Sequence, residues 1–245
     1  MKNRKLVIGD IHGAYLALKQ VLERVGLKEN DELIFLGDYV DGWSQTKEVI
    51  DYLLELNKSH SCIFIRGNHD TWCEEWLQKG KINEVWLFSG GTSTANSYSN
   101  IDDEVKQKHI EFFNRLINYH VDEKNNLFIH AGYSSMHGPA KETYTSNYNW
   151  DRTLWEMALA MDKNIQKDSK IYPKRLKLFN ELFIGHTPTT DYDSDVPMNA
   201  VNIWNVDTGA AFHGKLTVLD TDTKEFWQSD VVQKFYPNEK GRNKD

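Results

Sequence analysis

The chain has 245 residues, 40% hydrophobic and 27% charged, enough to bury one substantial core or two small ones. A formal charge of −7 argues against a protein that coats nucleic acid, which carries a basic stripe, although a bound metal can still draw phosphate to a mildly acidic surface. Two cysteines, Cys62 and Cys73, exclude a disulfide framework and a CxxC zinc site, and Cys62 lies in an apolar run that suits burial.

Apolar runs that stop at a polar cluster recur from the N-terminus onward. Residues 6–8 lead into Gly9, Asp10 and His12, and this apolar stretch is too short for a secretory signal. Leu18, Val21, Leu22 and Val25 keep helical spacing, and Gly26 is placed to end that helix. Residues 33–36 lead into Gly37 and Asp38, with Asp41 three positions on, and Val49, Ile50, Leu53, Leu54 and Leu56 predict a second helix. Residues 63–65 lead into Arg66, Gly67, Asn68 and His69, and Val105, Phe112, Phe113, Leu116 and Ile117 mark a third helix. The opening is therefore βαβαβ, which predicts a parallel sheet with right-handed crossovers.

Further along, runs at 127–129 and 182–184 stop at His130 and at Gly185–His186. Beyond residue 198, short strands at 201–207, 215–219 and 225–229 have the spacing of an antiparallel meander, so mixed sheets are expected rather than a second domain. One domain is expected over 1–236, with 237–245 a frayed tail. No run approaches the length of a membrane span, and the chain reads as soluble and cytoplasmic.

In open α/β sheets, sites form beyond the carboxyl ends of the strands. Side-by-side strands would bring Asp10, His12, Asp38, Asp41, Asn68, His69, His130 and His186 to one rim. Each piece alone reads as a turn, a helix cap or a core histidine, but five such pieces at strand ends are hard to explain as independent turns. Uncompensated carboxylates gathered there would repel one another, and divalent cations remove that cost. Carboxylate, imidazole and amide oxygen without thiolate favour Mn²⁺, Fe or Zn²⁺ over Ca²⁺. So many ligands suit two ions, which one aspartate can bridge.

GDIHG (9–13), GDYVDG (37–42), RGNHD (66–70), HAG (130–132) and GHT (185–187) together resemble the ordered signature of the calcineurin-like metallophosphoesterases. The closer likeness is to bacterial and phage members of the PPP family of Ser/Thr protein phosphatases. The resemblance implies the family's α/β fold, two mixed β-sheets packed as a sandwich and flanked by helices. It implies two divalent metal ions, with Mn²⁺ ranked ahead of Fe and Zn²⁺. Asp10 and His12 would hold the first ion, Asp38 would bridge both, and Asn68, His130 and His186 would complete the second. His69 would be the general acid that protonates the leaving alcohol, paired with Asp41, while Asn68 and Arg152 would bind phosphate. The implied reaction is hydrolysis by in-line attack of a hydroxide shared between the metals.

Two positions depart from the PPP pattern. GDxVDRG usually carries an arginine that grips phosphate, and here the position is Gly42, followed by Trp43, so a weaker phosphate grip or a more open pocket is expected. Arg66 is a weaker candidate than Arg152 for that grip. GNHE is replaced by GNHD at Asp70, which is common in the wider superfamily, including symmetrical diadenosine tetraphosphate hydrolases. GHTP (185–188), WLFSGGTST (86–94) and WDR (150–152) pull back towards the protein phosphatases. The glycine-rich stretch Gly90–Thr94 lacks the lysine of a P-loop and reads as packing near the site.

A Ser/Thr protein phosphatase, with phosphotyrosine a further substrate, ranks first. A symmetrical diadenosine tetraphosphate hydrolase is the alternative, and a non-catalytic scaffold is remote because every ligand is present. The expected partners are a phosphoprotein or small phosphoester, with no stable nucleic-acid or membrane binding.

Overall fold

The computed structural model describes residues 3–243. Strands β1 (Lys5–Ile8), β2 (Glu32–Phe35) and β3 (Ser61–Phe64) run parallel, and helices α1 (Tyr15–Val25) and α2 (Thr46–Ser59) make the crossovers between them. Gly26 ends α1 in the left-handed conformation, as its position predicts. A third helix not legible in the periodicity, α3 (Asn68–Lys79), starts directly after β3. The helix expected from Val105 onward is Asp103–Asn114; Leu116 and Ile117 lie beyond it, and Ile117 bridges to Ile65.

The second sheet is built from β4 (Tyr119–Val121), β5 (Leu127–Ile129), β6 (Leu182–Ile184), β7 (Met198–Ala200) and β8 (Ile203–Asn205), in the order β4-β5-β6-β8-β7. Strands β5, β6 and β8 are parallel, and β4 and β7 are antiparallel edges. The chain then returns to the first sheet with β9 (Thr217–Asp220) and β10 (Phe226–Gln228), giving the order β10-β9-β1-β2-β3. The expected three-strand meander is therefore corrected. Strands β9 and β10 pair antiparallel, but β8 belongs to the other sheet, where it extends the parallel set beside β6. The expectation of two mixed sheets holds.

Alternate residues of each central strand enter different cores, which is why the runs are apolar without a break. Leu6, Ile8, Leu33, Phe35 and Val218 face α1, α2 and α3. Val7, Ile34, Leu36 and Leu219 point the other way, onto Phe128, Phe183 and Val206 of the second sheet. Leu127, Ile129, Leu182 and Ile184 then face the segment around Leu154, Trp155 and Leu176. The result is a sandwich of two sheets with an outer layer on each face. Cys73 is buried, but Cys62 is only half-buried because β3 is the sheet edge, so its expected burial is partial. No helix among the described residues is long and apolar enough to cross a membrane.

Residues 237–243, read from sequence as the start of a tail, lie against the body. Ser44 donates from its backbone N and its Oγ to the Glu239 carboxylate at 2.9 and 2.7 Å, and Tyr236 stacks on Trp43 at 5.2 Å. Residues 244 and 245 lie outside the described residues.

The layer between the sheets holds the two halves of the site together. Phe128 and Phe183 stack there at 5.0 Å with ring planes 9° apart, both fully buried. Phe183→Ala is expected to cost about 3–5 kcal/mol of unfolding free energy, read as a lower urea midpoint at unchanged slope. A loss under about 1 kcal/mol would mean that the sheets do not depend on this layer.

Candidate functional site

The carboxyl ends of β1, β2, β3, β5, β6 and β8 meet along one seam of the sandwich. All eight residues picked out at strand ends converge there, and all are buried: Asp10, His12, Asp38, Asp41, Asn68, His69, His130 and His186. Two glycines allow the approach. A Cβ at Gly67 would overlap the Asp38 carboxylate, and one at Gly185 would overlap that of Asp10. Asp38 Oδ2 lies 3.5 Å from Nε2 of both His12 and His130, so one carboxylate stands between two histidine groups. Asp10 Oδ2 is 3.9 Å from His12 Nε2, and Asn68 Oδ1 is 3.1 Å from His130 Nε2. Ligand atoms of Asp38, His130 and His186 lie within 4.8 Å of one another.

Backbone carbonyls decide the tautomers. His130 Nδ1 donates to Leu36 O at 2.9 Å, and His12 Nδ1 lies 3.1 Å from the carbonyls of both Val40 and Asp41. The Nε2 lone pairs of both rings therefore face the carboxylates and the Asn68 oxygen, where acceptor meets acceptor with no proton between them. Burial pushes the His12, His130 and His186 rings down, which keeps them neutral and able to bind metal. Asp10 Oδ1 and His186 Nε2 are buried with no hydrogen-bond partner. Converging lone pairs, neutral imidazoles and orphaned buried atoms fit a pair of divalent cations.

His69 is held differently from the other three histidines. Distance alone groups it with His12 and Asp38. Its Nδ1 donates to Asp41 Oδ2 at 2.6 Å, however, and the same oxygen accepts the Trp86 indole N–H at 2.7 Å. That leaves Nε2 on the far side of the ring, in a cavity it shares with Asp38, Asn68, Arg152 and His186. Trp72 packs edge-on against His69 at 5.2 Å, and Trp150 packs against Trp72 and His186, so these two indoles wall the cavity.

The loops carrying these groups are held in unusual shapes. His12, Asp38, Asp41 and His186 all have positive φ, making half of the eight described non-glycine residues that do. Asp70 supports the Asp38 turn: its carboxylate accepts the backbone N–H groups of Asp38, Tyr39 and Gly67 at 2.8, 2.9 and 2.8 Å. The stretch Gly90–Thr94 supports the Asp41 turn. Thr94 Oγ1 accepts Asp41 N–H at 3.0 Å, and Gly42 N–H reaches Ser93 Oγ at 3.0 Å and Gly90 O at 3.1 Å. Its expected packing role matches these contacts.

Arg152 donates to Thr187 Oγ1 at 2.8 Å and lines the cavity beside His186. Arg66 is turned away, paired with Glu74 and donating to Phe113 O at 2.7 Å. Two groups escaped the sequence reading. Asp207 follows β8 as Asp10 follows β1, and burial foremost, then Asp38, pushes its carboxyl up to about 7 against the Gly209 N–H. Its signal was present, since it ends an apolar run as the others do. The second is Arg242, from the C-terminal segment, which lines the same cavity.

Comparison with known proteins agrees with this geometry. A bis(5'-nucleosyl)-tetraphosphatase PrpE [asymmetrical] from Oceanobacillus iheyensis is 26% identical over 234 residues, covering 90% of this chain and 89% of its own. A solved structure provisionally assigned as a diadenosine tetraphosphatase aligns with a TM-score of 0.62 at 16% identity, over 92% of both chains. A protein serine/threonine phosphatase from Saccharomyces cerevisiae aligns at 0.58 and 13% identity, over 93% of this chain and 79% of that one. At such identities the two structures speak for the fold alone. The family model for calcineurin-like phosphoesterases matches residues 4–213, and the chain belongs to that family.

Proposed function

We propose that this phosphoesterase hydrolyses the phosphate chain of a dinucleoside tetraphosphate, cutting it asymmetrically. The observation that carries the reading is a cavity of about 720 Å³ beside Gly42 and Arg242, lined by Leu87, Phe88, Ser93 and Phe212 among others. It has room for a nucleoside next to the buried cluster, and Phe88, 82% exposed, offers a face on which a base can stack. The tetraphosphatase relative, similar along nine-tenths of both chains, supports the same substrate class. This reverses the order in which sequence alone ranked the two readings. It also differs from the symmetrical cleavage considered there, because the relative's name specifies the asymmetrical one. The phosphoprotein reading becomes the second, resting on the GHTP and WDR motifs.

In this reading Asp10, His12 and Asp38 would hold one divalent ion, and Asp38, Asn68, His130 and His186 the other. The ions, when bound, supply positive charge to the phosphoryl oxygens and acidify water. Mn²⁺ remains the first choice for both, and a cytoplasmic setting suits the substrate. Asp41 holds the His69 ring by its Nδ1 proton, so a proton given to a leaving oxygen comes from Nε2, the nitrogen facing the cavity. Asn68 and Arg152 contact the phosphoryl group from the cavity wall.

Three outcomes are expected. Diadenosine tetraphosphate incubated with the Mn²⁺-loaded protein should give ATP and AMP on chromatography. ADP as sole product would mean symmetrical cleavage, and turnover of a phosphopeptide with none of the dinucleotide would restore the phosphatase reading. His69→Asn should keep its metal by elemental analysis yet lose ~10²–10⁴ in kcat on an alkyl phosphate, as for loss of a general acid. An unchanged kcat removes His69 from that role. Chelation should abolish turnover and lower Tm, both recovering with Mn²⁺, and Asp38→Asn should lose both ions together. Activity that survives chelation would contradict the metal centre.

A further inference from the structure

Glycine at position 42 leaves the Asp41 turn without a side chain, and the structure shows what takes the room. Gly42 has φ +106°, and a Cβ built on it would stand 3.3 Å from Cγ of Arg242. A Cβ on Gly90 would stand 3.0 Å from the same atom. The two glycines thus form a slot, and the stem of Arg242 fills it. Glycine at 42 does not open the pocket; it admits an arginine from elsewhere in the chain.

Arg242 is held there by its neighbours. Its backbone N–H donates to Ala211 O at 2.8 Å, and its guanidinium lies 5.2 Å from the centre of the Phe212 ring. Gly241 has φ +59°, and a Cβ on it would meet Trp43 Cζ2 at 2.6 Å, so the segment passes too close to Trp43 for any larger residue. Upstream, Gln233 Nε2 donates to the carbonyls of Tyr236 and Glu239 at 2.8 and 2.6 Å, and the Tyr236 hydroxyl donates to Gln45 Oε1 at 2.7 Å. These contacts, with the Glu239 and Trp43 anchors already described, deliver the guanidinium to one wall of the cavity holding Asp38, Asn68, His69 and His186. Arg152 lines the same cavity from the connection between β5 and β6. Arg242 Nε is buried and has no hydrogen-bond partner, an uncommon state for a group with so strong a need of acceptors.

We propose that Arg242 binds the phosphoryl group under attack, its planar fork gripping non-bridging oxygens opposite Arg152, so that the C-terminal segment completes the site. The proposal rests on the phosphoesterase reading of the cavity and not on the nucleotide. An arginine suits this task better than a lysine, because two parallel N–H donors match two phosphoryl oxygens.

The test uses the full-length Mn²⁺-loaded protein with p-nitrophenyl phosphate as substrate and inorganic phosphate as inhibitor. Arg242→Met keeps the stem that packs on Gly42, Gly90 and Phe212 and removes the charge. It is expected to raise KM and the phosphate inhibition constant roughly ten- to a hundredfold, the effect of losing charge-assisted hydrogen bonds, with kcat changed less. Arg242→Lys should recover part of that loss. The rise in Tm on adding phosphate, measured against each variant's own baseline, reads binding even where a variant is less stable, and it should shrink in Arg242→Met. A phosphate inhibition constant within twofold of wild type, or an equal phosphate-induced rise in Tm, overturns the proposal. Failure to cleave diadenosine tetraphosphate, with phosphate affinity still lost in Arg242→Met, sinks the nucleotide reading alone.

Discussion

Five aspartates are buried where the rims of the two sheets meet, and the fold has to make each of them tolerable. Asp10, Asp38, Asp41, Asp70 and Asp207 are each at most 3% exposed. A carboxylate taken out of water without partners costs several kcal/mol or titrates to its neutral form. Asp70 is satisfied by three backbone N–H groups, and Asp41 accepts a histidine and an indole N–H on Oδ2 while its Oδ1 has no partner. Asp10, Asp38 and Asp207 are not matched so well. Asp10 accepts a single N–H, from His186 at 3.0 Å, and its other oxygen has no partner. Asp10 and Asp38 also face neutral imidazoles whose lone pairs point at them. Positive charge satisfies both kinds of acceptor at once, so a need for cations follows from burial before any reaction is considered.

That requirement explains the strained loops. Holding groups from five strand ends in one volume places His12, Asp38, Asp41 and His186 in left-handed conformations. Such conformations cost about 1–3 kcal/mol each and persist only where the surroundings over-determine them. Here they do. The backbone N–H of Asp38 is taken by Asp70, that of Asp41 by Thr94 and that of His186 by Asp10. Aspartate and histidine are also among the residue types that tolerate positive φ best, so ligand chemistry and loop geometry select the same side chains.

The sequence was most informative where local pattern and function coincide. The apolar runs at 6–8, 33–36, 127–129 and 182–184 are strands buried on both faces, and these runs, with the edge run at 63–65, each end at a site residue, so fold class and the eight rim residues were legible together. What was missed depends on pairings between distant parts of the chain. Strand β8 left the expected meander because its partners are β6 and β7, a choice that the spacing of short strands does not encode. Asp207 went with it, although Asn205-Val206-Asp207 repeats the pattern seen after β1. Residues 237–243 look like a tail because they contain no hydrophobic residue. Their anchors, Ser44 and Trp43, lie nearly two hundred residues earlier, and only the folded chain puts them side by side.

The arrangement separates chemistry from recognition along the chain. The groups that would hold metal and move a proton in the proposed reading sit at the ends of strands, where packing leaves them little freedom. The groups that line the larger cavity, Phe88, Ser93, Phe212 and Arg242, come from the segment after α3, the loop between β8 and β9 and the end of the chain. These surface segments are free to differ between relatives without disturbing a sheet. An arginine supplied by the C-terminal segment, as proposed above for Arg242, belongs to this second kind. It leaves the strand-end ligands untouched and redraws the entrance beside them, where glycine at 42 and 90 now borders the cavity. The Arg242 stem packed between those two glycines sets the edge of the cavity on that side, so substrate selection can be adjusted there without moving a strand-end side chain.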